Sequence, residues 1–169
     1  MYHLPGTTPE ATSVEQVFGG RAIADTLRYG NAERRRAYEN LNCARERKVD
    51  FVMLGCPHNS IDQVWLIASL LEGRRINPDT ALWVHTPRAL RDTAERNGYV
   101  RMIEDAGGVV MSDTCPAISR HMPKGVRTVA TDSAKQAHYL PAITGVEAWF
   151  GSVRDCVEAG ISGSWNGAL

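Results

Sequence analysis

The chain has 169 residues, 43% of them hydrophobic and 22% charged, which is enough for one globular domain with a real core. Basic and acidic residues each number 19, so no charge excess points to nucleic acid or a membrane surface. No run is long and apolar enough to span a bilayer, and the start carries no signal-peptide pattern. The four cysteines lack the close spacing of a secreted disulfide framework, so a cytoplasmic protein with reduced thiols or metal ligands is expected.

Met1 to Ala11 is broken by Pro5, Gly6 and Pro9 and reads as irregular. Ser13 is placed to cap a short helix, Val14 to Phe18, which Gly19-Gly20 ends. Ala22 to Arg47 is rich in Ala, Arg and Glu, and predicts two helices separated at Gly30-Asn31. Ile23, Leu27, Tyr38 and Leu41 would mark their apolar faces. Arg34-Arg35-Arg36 is interrupted by neighbouring glutamates and reads as a solvated face. Cys43, on the second helix, reads as a buried or semi-buried structural thiol.

The regular part begins at Asp50. Phe51 to Leu54 predicts a buried strand, and Gly55-Cys56-Pro57-His58 a turn after it. Ser60 and Gln63 have capping-box spacing for a helix to about Glu72, with Ile61, Val64, Ile67, Ala68 and Leu71 on one face. Ala81 to His85 is the second strand, with Thr86 as N-cap and Pro87 opening the next helix. A further helical segment runs through Val100, Ile103 and Ala106 to Gly107-Gly108. Val109 to Ser112, Arg127 to Thr131 and Glu147 to Phe150 are the remaining strands. Ser152 caps a last helix carrying Val153, Cys156 and Val157, and Gly160 to Leu169 reads as a loose tail.

Strands alternating with helices predict an α/β fold, a three-layer αβα arrangement on a mostly parallel sheet of about five strands. The expected division is a lead-in over 1–48, an α/β domain over 49–163 and a tail over 164–169. Parallel pairing places four polar strand ends on one edge, where open α/β sheets bind ligands. These are Gly55 to His58, His85-Thr86, Asp113-Thr114-Cys115-Pro116 and Thr131-Asp132-Ser133.

Two of the four carry Cys-Pro. Proline stiffens each turn, so both thiols could be held outward as ligands for zinc or an iron–sulfur cluster; ordinary buried cysteines remain the alternative. Thr131-Asp132-Ser133-Ala134-Lys135 is either an anion site for carboxylate or phosphate, or a plain helix cap with Lys135 in solvent. His58 and His85 are open as ligands, acid–base groups, substrate donors or structural histidines. A Rossmann nucleotide site would need a G-x-G-x-x-G turn after the first strand, and none is there.

Taken together and in order, Gly6-Thr7-Thr8-Pro9-Glu10-Ala11, Gly55-Cys56-Pro57-His58, Asp113-Thr114-Cys115-Pro116 and Ala130 to Tyr139 resemble the aconitase X family. Phe150-Gly151-Ser152 followed by Cys156-Val157 extends the resemblance, which covers about Tyr2 to Gly163. One departure is Asp132, where asparagine is expected.

The resemblance implies an aconitase-like large-subunit domain of a hydro-lyase, with cis-3-hydroxy-L-proline and phosphomevalonate as the substrate classes. It implies an iron–sulfur cluster, 2Fe–2S or 4Fe–4S, with Cys56 and Cys115 as two of its three cysteine ligands. The third ligand would lie in an upstream large-subunit segment. Thr131, Ser133, Lys135 and His58 would bind substrate. The catalytic base would come from a smaller swivelling domain, so no catalytic residue is assigned here. On this reading the chain is the C-terminal part of the large subunit, incompetent as a dehydratase alone. A non-catalytic module that keeps the fold and binds a small anion or partner subunit is the alternative.

Overall fold

The structure is a computed structural model and describes residues 2–167. The chain divides into two compact units, Met1–Glu33 and Arg34–Leu169.

In the first unit, α1 (Val14–Phe18) is capped by the Ser13 side chain and closed by Gly19 in the left-handed region. Arg21 to Gly30 forms no helix, contrary to the sequence expectation. The nine residues between Gly20 and Gly30 cannot repay helix nucleation on propensity alone. The Asp25 carboxylate instead accepts the Thr26 N–H at 2.7 Å, a local bond that competes with helix, and Leu27 stays 91% exposed.

The second unit is built on five parallel strands: β1 (Phe51–Leu54), β2 (Ala81–Thr86), β3 (Val109–Ser112), β4 (Thr128–Thr131) and β5 (Glu147–Phe150). Their order in the sheet is β3-β2-β1-β4-β5, and every pairing is parallel. Central β1 is buried on both faces, as its unbroken apolar run requires. Val52 and Leu54 enter one core, Phe51 and Met53 the other.

The first core packs α3 (Ile61–Leu71), α4 (Arg88–Arg96), α5 (Tyr99–Asp105) and α8 (Val153–Ser162) against the sheet. The second packs α7 (Ala134–Thr144) and the short α6 (Pro116–Ser119), with Leu41 from the end of α2 (Asn31–Leu41). This is the expected αβα layering. Each fully buried Leu, Ile or Phe in these layers contributes roughly 1.5–3 kcal/mol.

Three sequence expectations are corrected. Thr86 does not cap α4; it ends β2, and its hydroxyl donates to the Asn59 carbonyl at 2.8 Å. Cys43 is exposed and follows α2, its sulfur accepting the Ala148 N–H at 3.2 Å. Residues 160–167 are not loose. The helix runs to Ser162, Val49 donates to the Gly163 carbonyl, and Ser164 bridges Lys48. Trp165 then stacks on Trp149 with centroids 5.7 Å apart. An indole with a flat partner buries far more apolar area than a tail's polar composition suggests. Among the described residues no helix is long and apolar enough to cross a membrane.

Candidate functional site

The chain runs outward from β1 through β2 to β3, then returns to place β4 on the other side of β1. That reversal opens a crevice at the carboxyl ends of β1 and β4, where doubly wound sheets bind ligands. The loops that follow β1, β3 and β4 carry nearly every site residue read from the sequence.

The β1 loop is pinned at both ends of Cys56. Gly55 has φ +106°, and a Cβ there would overlap the His85 carbonyl oxygen and lie 2.6 Å from Asn59 Nδ2. Only glycine lets the loop press onto β2. Asn59 then donates its backbone N–H and Nδ2 to that same carbonyl at 2.9 and 3.0 Å. The Ser60–Gln63 capping box forms and starts α3. Cys56 and His58 are thus held half-buried on a short bridge between fixed points, with a cis Cys56–Pro57 peptide between them.

The β3 loop is tied to the first by His58, whose Nε2 donates to the Thr114 carbonyl at 3.0 Å. Asp113 takes the left-handed conformation, and its carboxylate accepts the Arg88 backbone N–H at 3.1 Å and the Arg88 Nε at 3.0 Å. It thereby supplies the cap that α4 lacks from its own N-cap, Pro87. These Arg88 contacts hold the Asp113 carboxyl below its ordinary range. Cys115 is buried at the start of α6, and Gln136 Nε2 of α7 approaches its sulfur at 3.8 Å. Cys56 and Cys115, 59 positions apart in sequence, pack in one apolar cluster with Phe51 and Met53.

After β4, Thr131 and Ser133 are both buried and adjoin each other, Ser133 N–H donating to Thr131 Oγ1 at 3.2 Å. Ser133 Oγ caps α7 through the Gln136 N–H. Lys135 is exposed one turn in, with no carboxylate within ion-pair distance among the described residues. Asp132 has one carboxylate oxygen buried without a partner; burial pushes its pKa up, and the Gly55 N–H draws it back.

The sequence left the role of His85 open and did not single out Gln136. His85 is fully buried, and neither ring nitrogen has a hydrogen-bond partner; Gln136 Oε1 is likewise unpartnered. Burial first, then the charge of His58, lowers the His85 pKa to about 4 despite the opposing Thr114 carbonyl, so the ring is neutral at pH 7. An unmatched buried polar group costs about 1–3 kcal/mol, so such groups mark places where something else is accommodated. A lone histidine in an otherwise apolar strand was the only sequence signal for this. Gln136 gave none.

Among the described residues no three His, Cys, Asp or Glu side chains converge as a metal site. The described residues therefore bring no third His, Cys, Asp or Glu side chain together with Cys56 and Cys115. Cys156 is not a further candidate. It is buried in the opposite core, and burial, reinforced by Asp132 and Asp155, pushes its thiol well above its ordinary value.

Residues 49–162 match the family model for the aconitase X third domain. The chain is 38% identical over 165 residues to cis-3-hydroxy-L-proline dehydratase of Pseudomonas aeruginosa, covering 96% of this chain and 28% of that one. It is 35% identical over 158 residues to the phosphomevalonate dehydratase large subunit of Methanocaldococcus jannaschii, covering 94% of this chain and 38% of that one. The crystal structure of Thermococcus kodakaraensis aconitase X in its holo form superposes with a TM-score of 0.69 at 25% identity, over 82% of this chain and 36% of that one. The chain thus spans well under half the length of these relatives.

Proposed function

The chain belongs to the aconitase X family, and from that premise we propose that it is the cluster- and substrate-bearing domain of a dehydratase that removes water from a small hydroxy acid. The substrate falls in the class of cis-3-hydroxy-L-proline or phosphomevalonate, both named in its relatives. The observation that carries this reading is that Cys56 and Cys115, from the loops after β1 and β3, pack with one apolar cluster at the carboxyl edge of the sheet.

The residues present fit part of an iron–sulfur site. Both thiols pack with one apolar cluster, and Gln136, whose Oε1 is buried without a partner, directs Nε2 at the Cys115 sulfur. Cys56 and Cys115 would hold a 2Fe–2S or 4Fe–4S cluster, with its third ligand supplied from elsewhere in the enzyme. Such a cluster, when bound, supplies a Lewis-acidic iron for a departing hydroxyl.

The remaining work falls to protein groups. Thr131 and Ser133 still have hydroxyl protons to offer, and unpaired Lys135 adds a positive charge at the same helix start. Together they orient a carboxylate or phosphate. His58 spends Nε2 on the loop–loop tie, which leaves Nδ1 to face substrate. The two loops it links bound the crevice, so substrate contacts and thiol positions are set together.

In this reading residues 49–163 form the working domain and 1–48 its lead-in. An upstream large-subunit segment and a small swivelling domain complete the enzyme. Four free thiols suit a reducing, cytoplasmic setting.

The test is steady-state dehydration by the assembled enzyme with each of the two substrates. Lys135→Ala should raise KM for the accepted one by roughly 10-fold or more, the worth of a charged hydrogen bond. An unchanged KM, or no dehydration of either acid by the wild-type assembly, would contradict the proposal.

A further inference from the structure

We infer that His85 is a positioning residue of the two-thiol centre, donating a ring N–H to a sulfur of the iron–sulfur group held by Cys56 and Cys115. The inference rests on the dehydratase reading above and goes beyond it in assigning a residue outside the proposed ligand and substrate sets.

Three observations converge on this ring. It is fully buried at the carboxyl end of β2 with both nitrogens unpartnered, so its hydrogen-bonding capacity is reserved rather than spent. It lies on the sheet face that holds both thiols: Trp83 meets His85 edge-on with centroids 6.3 Å apart, and Trp83 in turn meets Phe51 at 5.1 Å. Phe51 belongs to the same cluster as Cys56 and Cys115. The His85 backbone is also immobilised, since two Asn59 donors close on the His85 carbonyl.

The Thr114 carbonyl, close enough to His85 to oppose the fall in its pKa, already accepts from His58 at 3.0 Å. The pocket already shows the same pattern once, with Gln136 Nε2 directed at the Cys115 sulfur. His85 does not join the two thiols as a third ligand, since no such triad forms among the described residues. A neutral imidazole beside thiolate sulfur is a hydrogen-bond donor, and such bonds raise a cluster's reduction potential.

The experiment uses the assembled enzyme, reconstituted with iron and sulfide, and compares wild type with His85→Leu and His85→Gln. The His85→Leu enzyme should keep its iron content but show a more negative midpoint potential and faster iron loss to a chelator. His85→Gln, which restores an N–H donor, should recover part of the potential. In the iron-free assembly His85→Leu should unfold no more easily than wild type, because it removes an unpartnered polar group.

A midpoint potential unchanged in His85→Leu would overturn the inference while leaving the dehydratase reading intact. So would loss of iron from both variants, which would make His85 a ligand or a fold element. A wild-type assembly that takes up no iron would overturn the dehydratase reading itself.

Discussion

Gly55 and Asp50 stand at opposite ends of β1, and each admits little change for its own reason. At Gly55 a side chain collides with the β2 backbone, which cannot retreat because Asn59 is hydrogen-bonded to the same carbonyl. Gly55→Ala should therefore cost at least about 2 kcal/mol, combining positive φ with a steric clash. The midpoint of urea unfolding measures it.

Asp50 accepts the Arg127 and Thr128 N–H groups at 3.0 and 3.1 Å and pairs with Lys48 at 3.1 Å. Burial would raise its carboxyl pKa, but the Arg127 N–H, the Lys48 ammonium and the Thr128 N–H outweigh burial and hold it below 3.8. Its stabilisation is present above the unfolded value and is lost as pH falls through the lower folded one. Asp50→Ala should cost about 2 kcal/mol at neutral pH. The gap to wild type should narrow in acid once the native carboxylate is protonated. A gap that stays constant down to acid pH would show that the charge is not what holds β1 to β4.

At the same scale, Cys56 and Cys115 stood out in the sequence as candidates because Cys-Pro follows a predicted strand in both places. His85 was ambiguous, because being unpartnered is a property of the folded surroundings and leaves no local pattern. Gln136 is a helical residue like many others until α7 is laid across the Cys115 loop.

Among the elements, strands and capped helices were legible where local signals agreed with one another. α3 has an apolar stripe, a capping box and a glycine after it, and all three predict the observed helix. Ser60→Ala should accordingly destabilise the fold by about 1 kcal/mol, read from thermal or urea unfolding. α4 shows the limit of local reading. Its cap comes from Asp113, 25 residues away across the sheet edge, so Thr86 was free to bond Asn59 instead. Arg21 to Gly30 shows the converse, where helix-forming residues without an apolar surface to cover did not form a helix. The last stretch was misread because a Trp–Trp stack between distant segments has no local signature.

For the whole molecule, parallel pairing followed from the alternation of strands and helices and put the polar strand ends on one edge, whereas the order β3-β2-β1-β4-β5 and its switch point rest on long-range pairing that leaves no local pattern. The relatives are much longer than the matched region, and Cys56 and Cys115 pack with one cluster here. On the proposed function the domain is one wall of a shared centre. This claim is tested most directly by iron and sulfide content of the assembled enzyme, purified without oxygen and reconstituted. Wild type and Cys43→Ala should be brown and carry both elements, while Cys56→Ala and Cys115→Ala should each be colourless. A wild-type assembly that stays free of iron with every partner present, or one bleached by Cys43→Ala alone, would contradict it.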